Sequence, residues 1–274
     1  ALDEKSESYK ALQSNGVQSA KQIVQNLPTY WGDQPFTSGP VYAGAIICFL
    51  FVLGLFIVKG PVRWWLLAAT ILSIMLSWGK NLEWFTDIFF YNFPLYNKFR
   101  TVSSILVIAS LCMPLLGLLA LKNFFDGYYT AEQLKKHVKN SFFITGGLAL
   151  VFALIPGMFF DFTSAVDEQL KTSGYPDWLI ETIRSDREGM LKADAFRSFV
   201  FILLSAGLLW IYAGSKKIKK EYVYVAFALL FLIDMGTVNK RYLNNDDFSK
   251  KRKTEQDFQP TAADLQIMAD PDPN

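Results

Sequence analysis

Six apolar blocks decide most of what this chain can become. They are Val41–Val58, Trp64–Trp78, Val102–Leu121, Phe142–Phe160, Phe196–Ala213 and Tyr222–Val238. Each approaches the length a helix needs to cross a bilayer, about 20 residues with roughly 17 as the lower end. The second is short and is expected to run a few residues past Ser77. None alternates with a period of two, and a helix satisfies its own backbone groups in lipid. The mean composition, 51% hydrophobic and 19% charged, is only slightly apolar, but the charges fall between the blocks rather than among them. That distribution excludes an ordinary soluble domain, a disordered chain and a small disulfide scaffold. The expected fold is all-α: a polytopic transmembrane helix bundle of about six spans, with amphipathic helices on its outer face. The first block lies too far from residue 1, and lacks the basic flank and cleavage site, to be a signal peptide.

Lysine and arginine set the expected orientation. Lys59 and Arg63 follow the first block, Lys122, Lys135, Lys136 and Lys139 the third, and Lys216, Lys217, Lys219 and Lys220 the fifth. These loops alternate, so they share one side, read as the cytoplasm. The other side then holds residues 1–40, the 79–101 loop, the acid-rich 161–195 loop and the tail from Asn239. Three regions follow: an outer-face segment with a short helix (1–40), a six-span membrane domain (41–238) and a lead-in to an outer domain (239–274). Both ends are expected outside. A polar 40-residue outer start with no signal reads as a piece of a longer protein.

Little in the chain offers conventional chemistry. The net charge of +2 comes with no basic stripe outside the short loops, so nucleic acid is not an expected partner. Cys48 and Cys112 lie inside apolar blocks and read as small buried hydrophobes. No metal-ligand spacing is present, and no cofactor is indicated. His137, the single histidine, reads as a solvated residue of a Lys-rich loop.

The segments between blocks are more informative. Val17, Ala20, Ile23, Val24 and Leu27 recur at helical spacing until Pro28 ends the run. Next comes Tyr30-Trp31-Gly32-Asp33-Gln34-Pro35-Phe36, which fits an interfacial aromatic loop or a sugar-facing loop with Trp31 or Asp33 in contact. Trp84 to Phe93 is too apolar for an ordinary loop and too short to span, so it reads as a re-entrant or interfacial segment broken by Pro94. Lys98 and Arg100 then stand at the start of the third block. A helix amino terminus plus these two cations fits an anion site, and the arginine fork suits a phosphate. The two residues equally fit side chains that snorkel to ordinary headgroups. In the 161–195 loop, Pro176-Asp177 opens a surface helix with Trp178, Leu179, Ile180 and Ile183 on its apolar side, its acids read as solvated. Asp234 stands inside an apolar block, where an acid is costly. It is expected to pair with Lys240, Arg241 or a residue on a neighbouring helix.

The run Pro94-Leu95-Tyr96-Asn97-Lys98-Phe99-Arg100-Thr101, entering a span, resembles a motif of the YfhO-like bacterial integral membrane proteins. So do Asp234-Met235-Gly236, the following Val238-Asn239-Lys240-Arg241-Tyr242-Leu243, and Tyr30 to Phe36 ahead of a span. The resemblance covers most of the chain, as the middle of a longer family member. It implies a GT-C-type glycosyltransferase of the bacterial cytoplasmic membrane. Such an enzyme moves a sugar from a polyprenyl-phosphate carrier to a cell-envelope acceptor at the outer face. It makes Arg100, with Lys98 beside it, a contact to the carrier-lipid phosphate. The family's catalytic acid lies in a first outer loop that nothing here matches, so no catalytic residue is assigned. The family often has a second arginine just after the first, where this chain has Ser103 and Ser104. Two other classes stay open: a transporter or lipid flippase, and a non-catalytic membrane scaffold of an envelope assembly.

Overall fold

Apolar runs that cannot hydrogen-bond to lipid must satisfy their backbones internally, and the polar punctuation between them sets where each helix stops. The computed structural model describes residues 2–32, 41–98, 101–215, 217–243, 245, 248 and 260–270. Among these residues there is no strand, and the fold is all-α. The chain divides into a unit Ala1–Asp234 and a unit Met235–Asn274.

The helices are α1 (Glu7–Ser14), α2 (Ala20–Asn26), α3 (Ala45–Ile57), α4 (Val62–Ser77), α5 (Glu83–Asn92), α6 (Leu106–Phe125), α7 (Ala131–Leu154), α8 (Ala165–Thr172), α9 (Asp177–Gly214) and α10 (Lys220–Tyr242). The last turns of α10 belong to the second unit. That unit also holds α11 (Ala262–Met268), opened by a reciprocal Thr261–Asp264 capping box. The same device starts α7, with Thr130 and Gln133, and α8, with Ser164 and Asp167. Proline marks three more boundaries: Pro61 precedes α4, Pro156 stops α7 and Pro176 precedes α9.

All six expected blocks are helical. Four helices are long and apolar enough to cross a membrane: α6 with its leading turn from Val102, α7, α9 and α10. At most a third of the apolar window of each is buried within the protein, so the rest presents a multi-pass membrane surface. The other two blocks are more particular. At 13 residues, α3 spans only about 20 Å by helix rise. The second block, α4, continues through Gly79–Asn92 after a bend of 113°, and together the pair has the length and apolarity of one broken span.

Two boundaries differ from the sequence reading. The surface helix expected near Pro176 does not lie across the bundle as a separate element, because α9 is one helix of 38 residues that carries directly into the fifth block. No proline stands between Asp177 and Gly214 to stop it. Likewise α7 begins at Ala131, so His137 is helical rather than in a loop. It is half-buried, its ring 6.1 Å from that of Phe56 and 5.4 Å from that of Tyr129.

Short α3 is the most buried of the apolar helices. Ile46, Phe49, Leu53 and Ile57 are essentially inaccessible, and α3 packs against α6, α7 and α9. The approach to α6 is close enough to require glycine. A Cβ on Gly54 would fall 2.6 Å from Leu116 Cγ and 2.8 Å from its carbonyl oxygen, and one on Gly117 would fall 3.0 Å from Leu50 Cβ. Small residues that let helix backbones approach are the usual membrane-helix device.

The two ends of the bundle differ. At the basic end, the Tyr129 hydroxyl donates to the Ile57 carbonyl at 2.7 Å, with the Lys59 ammonium over the Tyr129 ring. Arg63 donates to the Leu55 carbonyl, and Lys135 sits over Trp210. At the other end α1, α2, α8 and the first turns of α9 form a cap. Its core is built from Leu12, Val24, Leu27, Leu179 and Ile183.

Candidate functional site

Three arrangements stand at the cap end of the bundle. The first follows from the break after α4. Gly79 takes φ +51°, which an L side chain rarely adopts, and the chain turns into α5. The Thr86 hydroxyl donates back to the Gly79 carbonyl at 2.9 Å and holds the turn. The side of α5 that carries Thr86 and Phe90 and the entry to α6 flank an open apolar cavity of about 350 Å³. It is lined by Thr86, Phe90, Tyr96, Thr101, Val102, Ser104 and Ile105. Burial pushes the Tyr96 phenol up from its ordinary value. Leu95, exposed and at φ 67°, is one of two described non-glycine residues in the left-handed region.

Lys98 closes the short turn that follows, Tyr96–Lys98, and is exposed. Its expected partner in anion binding, Arg100, lies outside the described residues, as does Asp33. Trp31 is described and half-buried. Its ring meets Phe160 at 5.2 Å and Phe162 at 5.1 Å, both edge-on, so it packs in an aromatic cluster at the base of the cap. Lys98 and Trp31 thus stand on different elements among different neighbours.

The second arrangement is a buried polar network. The Tyr42 hydroxyl donates to Asp234 Oδ1 at 2.7 Å and accepts from Arg197 Nη2 at 2.8 Å. Arg197 Nη2 also lies 3.6 Å from Asp234 Oδ1. The α3 amide of Ala45 donates to Asp234 Oδ2 at 3.0 Å. Gly44 precedes α3 and has no side chain to cap it, so the cap comes from α10, 189 residues away in sequence. A carboxylate there also faces the positive end of the α3 dipole. This is the neighbouring-helix pairing expected of Asp234. The sequence reading did not single out Tyr42 or Arg197. The usable signal was an arginine at the second position of one apolar block and an acid near the end of another.

The third arrangement lies within the cap. Arg187 is wholly buried. Its guanidinium donates to the Phe162 carbonyl at 2.8 Å and to the Pro28 carbonyl at 3.0 Å, and pairs with Asp167 Oδ1 at 2.9 Å. Arg184 Nε adds a second bond to Asp167 at 3.0 Å. Nearby, Asp186 accepts from the first α1 amides, Glu7 at 2.7 Å and Ser8 at 3.0 Å. Asp167 and Asp186, expected to be solvated, are both buried. A buried acid persists only when paired and hydrogen-bonded, and here arginines and a helix start supply those partners. Asp161 keeps the exposed character expected of it, with the Thr163 amide and hydroxyl holding its carboxyl below the usual range.

Among the described residues no group of three or more His, Cys, Asp or Glu could hold a metal ion. Both cysteines are free, Cys112 buried and Cys48 partly so. No protein-family model, curated protein or solved structure matches the chain.

Proposed function

We propose that this chain is part of a membrane glycosyltransferase of GT-C type, acting on a polyprenyl-phosphate-linked sugar and a cell-envelope acceptor. The observation that carries the reading is the apolar cavity beside the broken helix, with hydroxyl groups at its walls and Lys98 close by in sequence. A polyprenyl-phosphate donor needs those two environments side by side: a dry slot for hydrocarbon, and a cation for the phosphate that departs from the anomeric carbon. Lys98 and Arg100 are the residues assigned to that phosphate, and Trp31 and Asp33 to the sugar side. The acid that would deprotonate the acceptor is not assigned. The positive-inside rule supports a basic end at the cytoplasm; on this reading the cavity and the cap stand at the outer face, and the membrane is the bacterial cytoplasmic one.

The test combines retained lipid with turnover. Native mass spectrometry of the protein purified from its source membrane is expected to show a polyprenyl-phosphate adduct. Arg100→Ala and Lys98→Ala are expected to lose the adduct and the transfer while melting as the parent does. Unchanged turnover in Arg100→Ala would sink the assignment. A transporter is the second reading, favoured by the Tyr42–Arg197–Asp234 network, because ionisable groups inside spans often mark ion or substrate pathways. Uptake of a labelled substrate into vesicles, without glycosyl transfer, would select it.

A further inference from the structure

The outward face of α5 is the largest feature that the proposed reaction leaves unused. Phe85, Thr86 and Phe89 are half-buried and form its inner side, with the Phe89 ring 6.0 Å from that of Tyr96. Trp84, Ile88 and Tyr91 are 65%, 50% and 77% exposed. Their spacing of i, i+4 and i+7 puts them on one stripe of the helix. Glu83 and Asp87, both exposed, run along the edge of that stripe. No residue of α5 is fully buried. A water-facing helix of this composition would be unusual, and one wholly inside hydrocarbon would strand its two acids.

The geometry points to one partner. We infer that α5 docks on a phospholipid bilayer surface, its Trp84–Ile88–Tyr91 stripe set at the boundary of headgroups and acyl chains. The bend of 113° after α4 carries the argument. With α4 running across the bilayer, α5 runs near the membrane plane, which is the attitude of an interfacial helix. Tryptophan and tyrosine favour the headgroup level. Exposed Lys80 lies just before the helix, placed to meet lipid phosphates. The acid edge then turns to water. The lipid-facing surface continues onto α6, where Val107 and Leu111 are each 69% exposed. The docking stands whether or not the protein transfers a sugar.

The test uses the full chain in phosphatidylcholine–phosphatidylglycerol liposomes. With Cys48 and Cys112 replaced by alanine, single spin-labelled cysteines are placed at positions 84, 87, 88 and 91. Collision with oxygen, relative to a water-soluble nickel chelate, is expected to be several-fold higher at 84, 88 and 91 than at 87. Equal nickel access at all four would overturn the inference, because the stripe would then face water. Low access to both reagents at 84, 88 and 91 would overturn it too, because protein would then cover the stripe. A second measurement spares the cysteines. In the native chain, lipids brominated near the headgroup are expected to quench part of the tryptophan emission, and Trp84→Phe to lose a share of that quenching. Identical quenching in Trp84→Phe and the parent would overturn the docking.

Discussion

Replacing Arg187 by alanine tests the cap most directly. The guanidinium satisfies three groups at once: the Asp167 carboxylate and the carbonyls of Pro28 and Phe162. Breaking a buried ion pair from one side costs about 3–5 kcal/mol, because it leaves an uncompensated charge. Here Asp167 keeps Arg184 Nε at 3.0 Å and the Ser164 amide at 3.2 Å, so its share falls at or below the low end of that range. The two carbonyls add to it, since a buried group left without a partner costs about 1–3 kcal/mol. A net loss of about 4 kcal/mol follows, with water entering the vacated site relieving part of the carbonyl cost. At about 1.4 kcal/mol per tenfold, that is roughly a thousandfold in the opening equilibrium of the cap. The assay is amide hydrogen exchange of α1 and α2 in detergent or nanodiscs, because local opening is read there amide by amide. Fast exchange is expected in α1 and α2, with the amides of α3 and α6 unchanged. Arg187→Lys should recover only part of the loss, since a point charge cannot reproduce the fork. Protection within about threefold of the parent in Arg187→Ala, under about 0.7 kcal/mol, would refute the reasoning.

Two further predictions concern the bundle. Asp234→Ala removes the partner of Tyr42 and Arg197 and the cap of α3, and should cost about 2–4 kcal/mol, against about 1–2 kcal/mol for Tyr42→Phe, which keeps the charge pair; thermal unfolding in detergent that reverses this order would count against the network. Gly54→Ala must push a methyl to within 2.6 Å of Leu116 Cγ and should cost about 1–3 kcal/mol by overpacking, whereas Gly207→Ala, with nothing within 4 Å of its Cβ, should be neutral or gain up to about 1 kcal/mol from helix propensity; equal melting temperatures for the two would mean that α3 and α6 do not meet closely at Gly54.

The apolar blocks made the helices legible because a lipid-facing helix writes its signal into every residue. The punctuation was legible where it was chemical: Pro28 stops the run through α2, and Pro156 stops α7. The sequence predicts a surface helix from Pro176-Asp177 and a separate span from Phe196, whereas α9 is one helix through both, because the charged stretch between them is helical too. Those charges are not a solvated face. Arg184 and Arg187 turn to Asp167, and Asp186 turns to the start of α1. A single sequence shows that such residues are charged but not that they face one another across 20 or 179 positions.

The same limit explains what the cap end adds to the sequence reading. Lys98 and Arg100 could be singled out because a helix start and two cations lie within a few residues of each other. Tyr42, Arg197 and Asp234 come from three separated helices or their approaches, and the bond that joins α3 to α10 is made to a backbone amide, which every residue but proline possesses. Such a bond leaves no residue-type signature on the α3 side; its trace is the missing cap, Gly44, ahead of a buried apolar helix. At the start of α1 the pattern repeats in part: Ser6 caps Tyr9, while the Glu7 and Ser8 amides go to Asp186. Distant carboxylates at helix starts therefore tie both the cap and the bundle together at this end.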